Sequence, residues 1–244
     1  HYNQGSVTAK VGNGSEVTVT SETKYPFEET VRLTISATKT TSFPLYLLVP
    51  EWAVGASVKV GKESLKATAG KYLRIEREWK DGDTVELKLP MKTRVHVWDQ
   101  MKDSASVYYG PLCFSLKIGE QYQQVDSLKT AIGDSGWQPG ADASKWPTYE
   151  ILPTTPWNFG LPQRPKLEVI RKPWPANDYP FSLATTPIEI RTTGKRIPKW
   201  GLDQDGLVAI LPKSPVTVST KEESITLIPM GAARLRISAF PQVN

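Results

Sequence analysis

Tyr72-Leu73-Arg74-Ile75-Glu76-Arg77 and, beyond Asp81-Gly82-Asp83, Thr84-Val85-Glu86-Leu87-Lys88-Leu89 alternate apolar and polar side chains almost residue by residue. Successive side chains of an extended chain point to opposite faces, so each run offers one face to a core and one to water. The Asp-Gly-Asp between them is turn chemistry. Working outward, Val17-Thr18-Val19-Thr20 and Val31-Arg32-Leu33-Thr34-Ile35-Ser36 repeat the alternation. Leu45-Tyr46-Leu47-Leu48-Val49 is continuously apolar and predicts a strand buried on both faces. Asn13-Gly14, Pro26, Pro50 and Gly70 punctuate the runs. Short strands at this spacing specify a sandwich or barrel. No 12-residue stretch carries a helical stripe, and the 20 prolines and 17 glycines disfavour helix interiors. The fold class is all-β.

Alternation gives way to polar residues near Val97-Trp98-Asp99-Gln100-Met101-Lys102. This predicts a β-sandwich domain over 1–98 and a second over 99–244, both jelly-roll-like. The second opens with Ser106-Val107-Tyr108-Tyr109-Gly110-Pro111-Leu112-Cys113-Phe114-Ser115-Leu116, two strands joined by Gly-Pro. From about 126 to 178 the chain turns rich in Pro, Gly, Asp and Trp, and Leu167-Glu168-Val169-Ile170 is its main alternating run. So long an irregular insertion is uncommon, and is usually functional or packed against something else. Strands resume at Ile188-Glu189-Ile190-Arg191, Ile225-Thr226-Leu227-Ile228 and Arg234-Leu235-Arg236-Ile237-Ser238.

The 244 residues suffice for two cores, and 39% hydrophobic with 23% charged residues describes a folded chain. The net charge of +5 is spread along the chain with acids interleaved, unlike the dense basic stripe of a nucleic-acid binder. With one cysteine, Cys113, no intrachain disulfide forms. No run of about 18 apolar residues predicts a membrane-spanning helix. The chain opens at His1-Tyr2-Asn3-Gln4-Gly5 inside a strand pattern and without a signal peptide, so further polypeptide is expected upstream.

Several segments occur in a telling order: Leu48-Val49-Pro50-Glu51-Trp52-Ala53, Gly70-Lys71-Tyr72-Leu73-Arg74-Ile75, and Trp79-Lys80-Asp81-Gly82-Asp83-Thr84-Val85. Leu89-Pro90-Met91, Tyr109-Gly110-Pro111-Leu112 and Leu227-Ile228-Pro229-Met230-Gly231-Ala232-Ala233-Arg234 follow. Together they resemble the C-terminal β-sandwich region of glycoside hydrolase family 127-type proteins, the β-L-arabinofuranosidase-like group. That resemblance implies an N-terminal (α/α)6 barrel whose active site uses a zinc-bound cysteine and a glutamate. Nothing in this chain matches the barrel or its cysteine cluster. The resemblance therefore implies a non-catalytic accessory portion with no catalytic residue, metal or cofactor of its own. Its partner would be the missing catalytic barrel of the same polypeptide, in a bacterial, secreted or periplasmic enzyme.

Glycoside hydrolysis usually needs two carboxylates flanking the scissile bond. Asp81 and Asp83 read as turn formers, and Glu76 and Glu78 as surface residues at a strand exit. Cys113, between Leu112 and Phe114, is expected in the core. His96 is expected to face away from Val95 and Val97. Asp203-Gln204-Asp205-Gly206 echoes part of a calcium loop but lacks its distal glutamate, and reads as a turn. Asn13-Gly14-Ser15 fits a glycosylation acceptor and also a hairpin turn, the preferred reading. Trp52 and Trp79 are core candidates.

Trp137, Trp146, Trp157 and Trp174 crowd the irregular stretch, with Tyr149, Phe159 and Tyr179. Sugar rings present apolar C–H faces that stack on exposed aromatic rings, while nearby amides and carboxylates bind hydroxyls. Trp137, Trp146, Trp157, Trp174, Tyr149 and Asn158 are therefore the candidate carbohydrate contacts, with an oligosaccharide as ligand. Asp134, Asp142 and Asn177 offer further polar groups. The competing reading has the aromatics anchoring an irregular loop by burying large area. With the aromatics as anchors the chain braces the barrel; in the alternative, with the Trp137–Trp174 stretch as a sugar platform, it is an independent carbohydrate-binding module.

Overall fold

The computed structural model describes residues 2–12, 14–126, 142, 145, 147–204 and 206–244. The chain divides into two compact units, His1–Arg94 with Tyr108–Leu112, and Val95–Val107 with Cys113–Asn244.

The first unit carries β1 (Gly5–Val11), β2 (Ser15–Thr23), β3 (Thr30–Ala37), β4 (Thr41–Leu48), β5 (Ser57–Val60), β6 (Glu63–Lys66), β7 (Tyr72–Trp79) and β8 (Thr84–Lys88). Six of them form one sheet in the order β1-β2-β3-β8-β5-β6, while β4 and β7 pair with each other. Register follows the alternation: Val31 lies opposite Leu87, and Leu33 opposite Val85, so the branched residues share the inner face. Val58 and Val60 of β5 continue that face beyond β8. Phe43, Leu47, Ile75 and Trp79 of the β4–β7 pair pack with Val31, Ile35, Val58 and Leu87 in one core. Trp79 is fully buried and donates its indole N–H to the Phe43 carbonyl at 2.9 Å. An indole that buries its ring and satisfies its one donor is a strong anchor.

One sequence expectation fails in this unit. Leu45–Val49 is not buried on both faces: Phe43 and Leu47 point inward, whereas Tyr46 and Leu48 are 53% and 41% exposed. Periodicity within the run is invisible because its outward positions are also apolar. No strand layer covers that outer face within the unit.

The second unit's strands are β9 (Thr93–Trp98), β10 (Ser104–Tyr109), β11 (Leu112–Leu116), β12 (Glu120–Val125), β13 (Thr148–Pro153), β14 (Phe159–Pro162), β15 (Glu168–Arg171), β16 (Ile188–Arg196), β17 (Glu222–Pro229) and β18 (Gln242–Val243), with β9 to β11 spanning the division between units. They form a sheet in the order β18-β14-β16-β17-β11-β10-β9, with β15 also on β16, and a separate β12–β13 pair. β16 is the hub, pairing β14 through Lys195 and Arg196 and β15 through Ile188 to Arg191. Ile188, Ile190, Ile225, Leu227, Phe114 and Leu116 are buried from this sheet. Among the described residues, the stretch expected to be irregular holds three short strands, β13 to β15, the last being the alternating run noted in sequence.

Glu189 is the buried charged residue among those described, its side chain 8% exposed. Its Oε1 accepts from Lys117 Nζ at 2.7 Å and Lys172 Nζ at 2.6 Å. Burial pushes its carboxyl up, and the two ammonium groups more than reverse this, leaving it below the ordinary carboxylate value.

Candidate functional site

The first unit carries an aromatic groove on its outer surface. Within β4, Tyr46 and Leu48 occupy alternate positions; across the pair, Arg74 lies opposite Tyr46 and Tyr72 opposite Leu48. Directly opposite residues of an antiparallel pair share a face, so these four side chains point away from the core. After β4 the chain turns tightly at Pro50-Glu51-Trp52-Ala53, where the Ala53 amide donates to the Pro50 carbonyl at 3.0 Å. This turn buries Ala53 and leaves Trp52 packed against the core while still lining the groove. From the start of the chain, Tyr2 donates its hydroxyl to the Leu48 carbonyl at 2.6 Å and meets the edge of Tyr25, ring centroids 6.1 Å apart. The resulting groove has a cavity volume of about 450 Å³.

The lining is neutral. Its ionisable members are the phenols of Tyr2, Tyr25, Tyr46 and Tyr72. Burial, with Tyr25 and Tyr72 close by, pushes the Tyr2 phenol up to about 12, and burial raises Tyr25 as well. Beside the groove, Arg74 donates Nε–H to the Tyr46 hydroxyl oxygen at 3.0 Å.

The sequence-predicted aromatics take different partners. Trp157 meets Trp200 edge to face, centroids 5.4 Å apart. Asn158 gives its side-chain amide to the Ile197 carbonyl at 3.0 Å, and its own carbonyl accepts from the Ile197 amide at 2.8 Å. Tyr149 pairs with Tyr122 across β12–β13 at 6.2 Å and is about half exposed. Trp174 donates its indole N–H to Asp178 at 2.6 Å. Trp137, Trp146 and Asp134 lie outside the described residues.

The titratable candidates resolve into structural roles. Asp83 accepts from the Lys80 amide at 2.8 Å and Asp81 from the Ala37 amide at 3.1 Å, closing the turn at Gly82. Glu76 is ion-paired with Arg74. Asp203 accepts from the Leu207 amide at 2.9 Å in a turn whose Asp205 lies outside the described residues. Cys113 is half-buried, not the core residue expected from its neighbours. His96 is exposed and edges onto Trp98, centroids 4.1 Å apart. Asn13 lies outside the described residues. No group of three His, Cys, Asp or Glu side chains suited to a metal occurs among the described residues. Glu189 is held ionised by its lysines, whereas a general acid needs a raised pKa.

Sequence reasoning missed the groove. Its members, Tyr2, Tyr25, Tyr46, Trp52 and Tyr72, are scattered over 71 positions and converge only through pairing of β4 with β7. The available signal was the surplus of apolar residues in Leu45–Val49, more than one buried face can absorb.

Comparison with known proteins places this geometry. Residues 1–91 match the family model described as "Beta-L-arabinofuranosidase, GH127 middle domain". Among solved structures, a glycoside hydrolase superposes with a TM-score of 0.60 at 20% identity, over 98% of this chain and 34% of its own. A GH127 β-L-arabinofuranosidase from Geobacillus stearothermophilus T6, Ara127N-Se, gives 0.60 at 22% identity, covering 100% and 33%. The GH127 β-arabinofuranosidase BT3674 gives 0.59 at 19% identity, covering 97% and 33%. No curated protein sequence matches. The chain spans about a third of the length of these solved enzymes. The resemblance drawn from the ordered segments holds: residues 1–91 match the GH127 middle domain, and the whole chain has the fold of a β-built part of such proteins.

Proposed function

We propose that this chain is the non-catalytic accessory β-region of an arabinofuranosidase-like glycoside hydrolase acting on plant or host glycans. It braces a catalytic helical barrel carried by the same polypeptide, in an exported bacterial enzyme. The observation that carries this reading is the coverage: essentially all of the chain lies on about a third of several glycoside hydrolases. The described carboxylates support it too, because Asp81, Asp83, Glu76 and Glu189 are each engaged in a turn or an ion pair.

The test compares this chain alone with the same chain joined to the coding region upstream of it, on an aryl β-L-arabinofuranoside. Release of product is expected from the joined protein and not from the chain alone. Turnover by the chain alone would overturn the accessory reading. No turnover by the joined protein on any arabinofuranoside would overturn the enzyme class.

A further inference from the structure

We propose that the groove formed by Tyr2, Tyr25, Tyr46, Pro50, Trp52 and Tyr72 is a binding subsite for a neutral sugar unit of an oligosaccharide. The proposal deepens the glycoside-hydrolase reading and rests on it for the choice of ligand.

Three features of the groove specify that chemistry. The first is the wall material. Five aromatic rings surround a cavity of about 450 Å³, within the roughly 300–1,000 Å³ of small-ligand sites. Tyr72 is 67% exposed and Tyr46 53%, so their rings are offered to the groove and not consumed by the core. An aromatic ring with a polar tip binds a partner that is apolar on one side and hydroxylated on the other. A sugar ring is such a partner.

The second is the hydrogen-bond inventory. Within the described residues the Trp52 indole N–H and the Tyr25 and Tyr72 hydroxyls have no protein partner, although Trp52 is half-buried. All three groups are open to water, so a ligand hydroxyl can take the water's place. Tyr46 accepts the Arg74 proton at its oxygen and keeps its own O–H to donate. Several neutral donors thus surround one apolar hollow, a small polar set on an apolar lining that fixes a ligand's orientation.

The third is charge and rigidity. No charged side chain lines the cavity, Arg74 beside it is ion-paired with Glu76, and burial keeps the Tyr2 and Tyr25 phenols protonated well above neutral pH, which favours a neutral sugar over a uronate. Tyr2 is pinned by its bond to Leu48 and its edge contact with Tyr25, and Trp52 by the core beneath it. A wall already ordered loses little conformational freedom on binding. The larger hollow of about 710 Å³ beside β14 to β17 differs on this point, being lined by Arg164, Lys166, Arg191, Glu168 and Glu222.

The test titrates the chain with a neutral arabinose-containing oligosaccharide, followed by tryptophan fluorescence and calorimetry. Saturable binding is expected at about millimolar Kd, the scale of a single small subsite. Tyr72→Ala, at an exposed position, should weaken it about tenfold. Trp52→Phe should abolish the fluorescence change while calorimetry still detects binding. Tyr149→Ala, in the second unit, should leave binding unchanged. No saturable binding up to tens of millimolar, or binding lost with Tyr149→Ala and kept with Tyr72→Ala, overturns the proposal. So does binding by this chain alone that disappears when the upstream region is attached, which would mean a protein surface fills the groove. A joined protein that hydrolyses arabinofuranosides without binding here sinks the subsite alone. Binding here with no hydrolysis by the joined protein sinks the enzyme class alone.

Discussion

Replacing Glu189 with glutamine should destabilise the second unit by about 2–3 kcal/mol at neutral pH. The substitution preserves side-chain shape and removes one charge from a site where a single carboxylate oxygen accepts from Lys117 at 2.7 Å and Lys172 at 2.6 Å. A hydrogen bond to a charged group contributes about 1.5–3 kcal/mol. Both lysines are 36% exposed, so water recovers part of each bond, and the amide oxygen of glutamine still accepts weakly. Taken together these reduce the two-bond total of about 3–6 kcal/mol to roughly half. At roughly 2–4 °C per kcal/mol for a domain of this size, the melting temperature should fall by about 4–12 °C. Urea unfolding followed by circular dichroism reads the loss directly. The pH dependence supplies a second check. Because the folded carboxyl titrates below its ordinary 4.5, its contribution is complete above about that pH and is lost as pH falls through the folded value. The gap between wild type and Glu189→Gln should therefore narrow on acidification. A gap under about 0.5 kcal/mol at pH 7, the ordinary size of a surface substitution, would refute the reasoning. A gap that persists undiminished at pH values well below the folded pKa would also refute it.

Trp79→Ala should cost the first unit about 3–5 kcal/mol, through the cavity left by a fully buried indole and the orphaned Phe43 carbonyl, measured by denaturant unfolding. Gly110→Ala should destabilise more than Gly82→Ala. Both have positive φ and incur about 1–2 kcal/mol of left-handed strain, but a Cβ at Gly110 would sit 2.6 Å from Met91 Cγ, whereas Gly82 faces open space. Equal losses in parallel melts would contradict that ranking. Tyr2 stabilises as the neutral phenol, so its contribution is full below pH 10 and is lost as pH rises toward 12. In alkaline absorbance titrations the difference between wild type and Tyr2→Phe should appear near 12; a difference centred at 10 would show an unburied phenol.

The strands that alternate strictly were legible because one side of each is wet. Val31-Arg32-Leu33-Thr34-Ile35 and Thr84-Val85-Glu86-Leu87 announce themselves, and they pair with each other through Leu33 and Val85. The sequence of β4 predicts double burial because it cannot distinguish an inward Leu47 from an outward Leu48 when both are apolar. β14, Phe159–Pro162, was hidden because its Gly160 and Pro162 are turn residues by habit, yet it lies between β16 and β18. Trp157 and Asn158 drew attention by type, while their partners Trp200 and Ile197 stand some 40 positions away and nothing local reports them.

Read without coordinates, the residues determine an all-β chain, turns where Gly-Asp pairs fall, and a likeness to one hydrolase family, because these depend on neighbours in sequence. Which outward side chains assemble into a groove, and which carboxylate is sealed between two lysines, was decided by tertiary structure. Both sites join residues from separate strands, and only strand pairing and register bring such residues within a few ångströms.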